Sequence, residues 1–484
     1  MPSICFYFRA HQPNRLKQFT FFEIGTDHFY EDDDLNKHYL DQVSESCYLP
    51  TNALMMELIE RYEGKFKICM SLTGTFIEQM EHHRPDVLES FKKLHQTGCL
   101  ELIAETYYHS LASEYSVDEF KRQVKLLEDK YQQHFGVKPT ALRNTEMIYS
   151  NRVAQLAQEL DYEAVLAEGV DWYLNGRTPN QLYQAPSSGI KLLLRNHRLT
   201  DEIAFRFPQG TLTADQYAFW LSQADGDNIN IFMDYETIGE HIKAGTGIFD
   251  FMRWLPHYVL MYENLSFKTV REVIDTNRVK GIYDVHFTTS WADAQRDMSA
   301  WNGNAMQDEA LTKLYSMEYD VKGSNDPDFI HVWSKLQTSD HFYYISTKPW
   351  GDGTIHEHFS PYNSAYEGYI FYMNALSDLE ITVNELREAK KTGKHKAKTT
   401  TAPPQLFSQA DLEEPTISKK ATLIDIKGIG PKYVKILAQA GIDTFEKLIN
   451  LSNEDWDVLE KEHTGIIKRC QKEQWIQQAK ELAD

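Results

Sequence analysis

The chain predicts a mixed α/β fold in which parallel strands form a barrel and helices follow it. Three observations carry this. Short apolar runs alternate with longer amphipathic ones through residue 295, the pattern is helical from 296 to 389, and the composition changes abruptly at 390. Alternating strand-type and helix-type segments favour parallel β/α units, and about seven or eight of them suit a barrel better than an open sheet.

In order, the strand-type runs are ICFYF (4–8), FKICMSL (66–72), LELIAETYY (100–108), TALRNTEM (140–147), EAVLAEG (163–169), KLLLRNH (191–197), NINIFMDYE (228–236) and VHFTTSW (285–291). Between them, LPTNALMMELIERY (49–62), VDEFKRQVKLLEDKYQQHF (117–135) and NRVAQLAQELDY (151–162) space apolar residues three and four apart, as one face of a helix does. The first 295 residues are therefore expected to be the barrel domain. Residues 296–389, with LTKLYSMEYDVK and SAYEGYIFYMNALSDLEITVNELREA, are expected to be a helical extension packed on it. KKTGKHKAKTTTAPPQ opens a basic, Thr/Pro-rich stretch without apolar periodicity, read as a flexible linker over 390–420. Order resumes over 421–484, a small all-α tail.

Fifty Lys plus Arg against 71 Asp plus Glu give a net charge of −21, which repels phosphate backbones and argues against a nucleic-acid-binding main body. Five scattered cysteines without a CxxC pair argue against a structural zinc site and for a reducing compartment. With no run of about eighteen apolar residues and no leader-type N-terminus, the expectation is a soluble, cytoplasmic protein without a membrane partner.

In a β/α barrel the chemistry sits where strands end, so the polar residues just past each apolar run are the candidates. They are His11, Glu105, His109, Glu146, Asp234, Trp291 and Asp293. Glu146 and Asp234 approach one rim from different strands, the arrangement that cleaves a glycosidic bond: one carboxylate attacks the anomeric carbon, the other donates a proton to the leaving oxygen. An apolar approach and a neighbouring Glu146 charge suit Asp234 to the acid role. Singly, an acid after a strand is more often a helix cap or an ion-pair partner.

The segments HQP (11–13), GCLELIAETYYHS (98–110), RNTEMIYSN (143–151), FMDYETIGEH (232–241) and TTSWADAQRDMSAWNGN (288–304) resemble, in order, the five sequence regions of glycoside hydrolase family 57, nearest its α-amylase branch. The resemblance spans about residues 1–390. It implies an incomplete (β/α)7 barrel with a helical region, and retaining cleavage of α-1,4-glucans or maltooligosaccharides. It also implies Glu146 as nucleophile, Asp234 as general acid/base and His11 as a sugar contact. Glu146 is then expected to be held ionised by neighbours such as Arg143, Asn144 and Tyr149, roughly 5–5.5 Å from Asp234.

Other residues carry blander readings beside the functional ones. Glu105 and His109 line a subsite or fix a strand end. Trp291, Trp301 and Trp172 stack on sugar rings or fill the core. Asp201, in NHRLTDEIAFRF, binds a hydroxyl or, preferably, caps a helix. HEH at 356–358 has poor spacing for a metal, so neither metal nor cofactor is expected. A 4-α-glucanotransferase or branching enzyme would use the same carboxylates, and a non-catalytic glucan-binding scaffold would have no need of both. A metal-dependent deacetylase lacks its paired-aspartate strand end and HxxxH here, and a zinc mannosidase would want an aspartate where this chain has HQP.

The tail segment IKGIGPKYVKILAQAGI resembles a helix-hairpin-helix unit, whose turn can hold a phosphate. Nine Lys plus Arg against eleven Asp plus Glu over 421–484 favour protein contact or plain structure over nucleic acid.

Overall fold

In the computed structural model the principal strands are β1 (Ser3–Ala10), β2 (Ile68–Leu72), β3 (Leu100–Leu102), β4 (Ala141–Leu142), β5 (Ala164–Glu168), β6 (Tyr183–Gln184), β7 (Lys191–Arg195) and β8 (Asn228–Asp234). The structure describes residues 2–348 and 360–392 and, in the tail, 423, 426, 429, 437, 440, 442, 444–452, 456, 470 and 475–483. Two compact units divide the chain, Met1–Lys396 and Ala397–Asp484.

Seven strands of the first unit close into a ring of parallel pairs. β8 pairs with β1, β1 with β2, and β2 with β3. A single bridge from Ala104 to Leu142 joins the third strand to β4; β4 then pairs with β5 and β5 with β7, which returns to β8 at Arg195 and Asn230. The two thinnest joints are reinforced by the main chain: Arg143 N–H donates to Ala104 O at 2.8 Å, and Asn196 N–H to Asn230 O at 2.9 Å. The strand number agrees with a (β/α)7 barrel, and its incompleteness lies in these short joints. β6 runs antiparallel along β7 outside the ring. The run VHFTTSW does not become a barrel strand; Thr289 makes one antiparallel bridge to Tyr149. A closed ring has no free edge for it to join.

Strand periodicity decides what faces inward. Ile4, Phe6, Phe8 and Ala10 pack into the core beneath the outer helices. Cys5 and Tyr7 instead join Cys69, Ile103, Ala141, Ala164, Leu166, Leu193 and Phe232 in a separate core inside the ring. Two residues further along each strand, the same parity brings in Arg9, Ser71, Glu105, Arg143, Glu168, Arg195 and Asp234. An apolar interior thus gives way to a charged layer at the C-terminal ends of the strands.

The helical extension packs Trp301, Leu311, Trp333, Phe342, Tyr372 and Leu376 around a second core that also takes Leu16, Phe19 and Tyr30 from the loop after β1. Fully buried Asp378, on the helix Ala365–Thr392, fixes that loop by accepting from Gly25 N–H (2.7 Å) and Tyr30 O–H (2.7 Å) and pairing with His28 (2.8 Å). In the second unit, the helices Phe445–Ile449 and Trp475–Ala483 share a core with Leu423, Ile426, Ile429, Leu437 and Ile442. Most of the expected linker, the two glycines of the GIG turn and the HEH segment lie outside the described residues. Among the described residues no helix is long and apolar enough to cross a membrane.

Candidate active site

Glu146 opens away from its own segment because its backbone is left-handed, at φ 54° and ψ 27°. Its Oε1 accepts from Arg9 Nη1 at 2.9 Å and from His109 Nε2 at 2.7 Å, and its Oε2 accepts from the Trp291 indole N–H at 2.6 Å. Of the expected neighbours, Arg143 acts on Glu146 through its charge, and Asn144 is engaged elsewhere. Asn144 donates to Ser113 and to Ile148 O, and Arg143 pairs with Glu105 at 3.6 Å and lies 4.7 Å from the Trp291 ring centroid. Burial opposes the charge of Glu146, but Arg9, His109 and Arg143 outweigh it and hold the carboxyl well below the usual range.

Behind Glu146 stands a charge relay of buried groups. His109 Nδ1–H donates to Glu105 Oε1, while Glu105 Oε2 faces Arg143 and accepts from Ser71 O–H at 3.0 Å. Burial alone would strip the His109 proton, yet the Glu105 charge overcomes it and raises the imidazole pKa. Glu105 in turn, against its own burial, is held down to about 2 by His109 and Arg143. His109 thus lies between two carboxylates, its Nε2 2.7 Å from Glu146 Oε1 and also 2.7 Å from Arg9 Nη1.

Asp234 ends β8 directly opposite Arg9 of β1, and Arg9 Nε donates to its Oδ1 at 2.7 Å. One guanidinium therefore spans both candidate carboxylates. Buried Ile231, Phe232 and Met233 give Asp234 the expected apolar approach, but the carboxylate itself has an ion-pair partner. Glu236, two residues on, accepts from His11 N–H (3.1 Å) and Tyr48 O–H (2.6 Å); burial and the Asp234 charge push it up to about 7.

His11 lies against His109 with ring centroids 4.2 Å apart and the rings tilted by 33°. Burial and the His109 charge push its pKa down to about 4, so the neutral ring accepts from Thr73 O–H at Nδ1 (2.8 Å) and donates from Nε2 to Asp340 (3.1 Å). Asp340 arrives from the helix Ser339–Tyr343 of the extension, whose first residue donates to His109 O at 2.9 Å. His11, His109 and Asp340 each bring a ligand atom within 4.8 Å of the others, a spacing able to hold a metal ion. All four ring nitrogens already have hydrogen-bond partners within the protein.

The remaining candidates separate. Trp291 is in the site, but as a donor to Glu146, with the guanidinium carbons of Arg9, Arg143 and Arg195 within 4.7–5.7 Å of its ring. Trp301 is packed in the helical core against Tyr343 at 2% exposure and has no free face for a sugar. Trp172 is 57% exposed on the short helix after β5. Asp201 is not the cap: Asn196 caps the helix His197–Ala204 by accepting from Leu199 N–H at 3.0 Å, and Asp201 sits within it, paired with Arg195 at 2.6 Å. Asp293 pairs with Lys348 at 2.8 Å. Sequence reading does not reach Arg9, Glu236 or Asp340. The signal for Arg9 was an arginine in an apolar strand, two residues from His11 on the same face.

Comparison with known proteins places this geometry. The model of Glycosyl hydrolase family 57 matches residues 5–286, and that of the RS2/RL21/YNQ2 HHH domain matches residues 423–483. A Methanocaldococcus jannaschii protein named "Putative alpha-amylase" is 42% identical over 404 residues, 79% of this chain and 85% of that one. A Thermococcus litoralis 4-alpha-glucanotransferase is 21% identical across 55% of this chain but only 40% of its own. The fold is shared with a GH57 branching enzyme of Thermococcus kodakaraensis at TM-score 0.60 and 12% identity, covering 81% of this chain and 92% of that one. With the family model matched over more than half its length and a relative aligned along most of both chains, this chain belongs to glycosyl hydrolase family 57, as a glycoside hydrolase with an HHH domain in its tail.

Proposed function

We propose that the chain is an α-amylase, hydrolysing α-1,4-glucosidic bonds of starch- or glycogen-like glucans or maltooligosaccharides with retention of configuration. Glu146 is the nucleophile and Asp234 the general acid/base. The observation that carries this reading is the treatment of Glu146: three donors converge on a mostly buried carboxylate, keeping it ionised and aimed, as a nucleophile requires. Arg9 ties Asp234 to it closely, which suits the short separation of a retaining pair. Glu105, His109 and Trp291 orient Glu146, while His11 and Asp340 line the sugar site beside it. No metal or cofactor takes part in this reading.

A glucanotransferase or branching enzyme would use the same pair with a sugar hydroxyl in place of water, and relatives with those names keep that reading in play. Product analysis over time with maltoheptaose decides among them, with wild type run beside Glu146→Gln. Shorter oligosaccharides with new reducing ends, formed about 10³-fold or more slowly by the variant, are expected. Longer products at constant reducing-end count would mean transfer. No change in either sample would leave a glucan-binding protein.

A further inference from the structure

Arg9 binds both carboxylates assigned to the reaction, through Nη1 to Glu146 (2.9 Å) and Nε to Asp234 (2.7 Å). It has little freedom to do otherwise. β1 lies mid-ring, with Arg9 in register with Asp234 on one side and Ser71 on the other. The side chain is only 13% exposed. A guanidinium stays charged through every step of a reaction. Its two partners do not.

We propose that Arg9 is a positioning residue that shifts its charge from Glu146 to Asp234 between the two halves of the reaction. This rests on the assignment of the pair made above. In the first half, a Glu146 oxygen bonds to the anomeric carbon, the bond from that carbon to the bridging oxygen breaks, and Asp234 gives its proton to the departing oxygen. The ester at Glu146 is neutral, so the cation now faces a newly ionised Asp234 alone. That is the moment at which Asp234 must act as a base. In the second half, water oxygen bonds to the anomeric carbon, its proton passes to Asp234, and the ester bond breaks with its electron pair returning to Glu146. The restored charge on Glu146 again faces Arg9, and Asp234 is left protonated for the next turnover. A cation fixed between the two stabilises whichever carboxylate the current step needs ionised.

The second half should therefore depend on Arg9 more than the first. The test uses the full-length enzyme with α-maltosyl fluoride, whose leaving group needs no proton, followed by rapid quench and intact-protein mass measurement. For Arg9→Met the expected result is breakdown of the covalent glycosyl adduct slowed about tenfold or more beyond any slowing of its formation, so that adduct accumulates. Azide, which attacks without a base, should restore turnover and appear as glycosyl azide. Should Arg9→Met fail to fold, Arg9→Lys carries the same readouts: one ammonium cannot span both carboxylates, so a smaller accumulation is expected. Equal slowing of both halves without adduct or azide effect would overturn the proposal, as would unchanged turnover. A wild type that neither forms adduct nor turns over the fluoride would instead overturn the carboxylate assignment, and the proposal with it.

Discussion

Glu146 and His109 meet side chain to side chain, and both carry left-handed backbones, at φ 54° and 53°. Non-glycine residues avoid that region at a cost of roughly 1–2 kcal/mol each, so their surroundings must hold them there. Glu105 is the anchor of that arrangement. Glu105→Gln keeps the shape but removes the charge that raises the His109 pKa, so His109 should titrate at lower pH than in the wild type and support Glu146 less. The expected outcome is a kcat reduced about tenfold or more with KM nearly unchanged, and an alkaline limb of the pH profile moved toward acid. A pH profile of wild type and variant checks this; coincident limbs would show that Glu105 serves only the fold. At this scale Glu105, His109, Glu146 and Asp234 were legible because each is a polar residue just past an apolar run. Asp340 was not, since a helix more than a hundred residues beyond the last barrel strand delivers it.

Among the elements, the strands were read well where apolar runs were long. β1, β2, β7 and β8 follow their runs closely, whereas LELIAETYY and TALRNTEM shrink to three- and two-residue strands. Past those points the inward side chains are Glu105 and Arg143, which form an ion pair at 3.6 Å in the charged layer instead of packing against apolar neighbours. Helical periodicity correctly located Leu49–Arg61, Val117–Phe135 and Asn151–Glu159. What no periodicity conveys is how closely elements approach. Gly239 adopts φ 102°, and a Cβ there would lie 2.0 Å from Ser46 O. Ser46 belongs to the helical turn Ser44–Tyr48, whose Tyr48 donates to Glu236 beside Asp234. Gly239→Ala should push that turn away and destabilise the protein by about 2 kcal/mol or more, a loss readable in urea unfolding. An unchanged midpoint would mean the contact yields freely.

Over the whole molecule, several buried titratable groups set the response to acid. His11, His241, His331 and His341 are all pushed down to about 4, chiefly by burial. Between that value and the ordinary imidazole pKa of about 6.5, the unfolded chain binds protons the native one refuses, so stability falls as pH drops through this window. Glu236, raised to about 7, works the other way, since the native state keeps its proton where the unfolded state has lost it. The four histidines outweigh Glu236 and His109, whose raised pKa values act in the opposite sense, and predict a lower urea midpoint at about pH 4.5 than at about pH 7; equal midpoints would contradict the burial of these histidines. The architecture has a consequence for folding as well as for chemistry. Because inward and outward positions alternate, a one-residue slip of β1 against β8 would press Arg9 into the apolar layer beneath the helices and leave Asp234 and Glu146 without their cation. Cys5 and Tyr7 alone would tolerate such a slip far better. The charges proposed to serve turnover thus also proofread the assembly of the barrel, and a chain that closes in the wrong register is penalised at the proposed site.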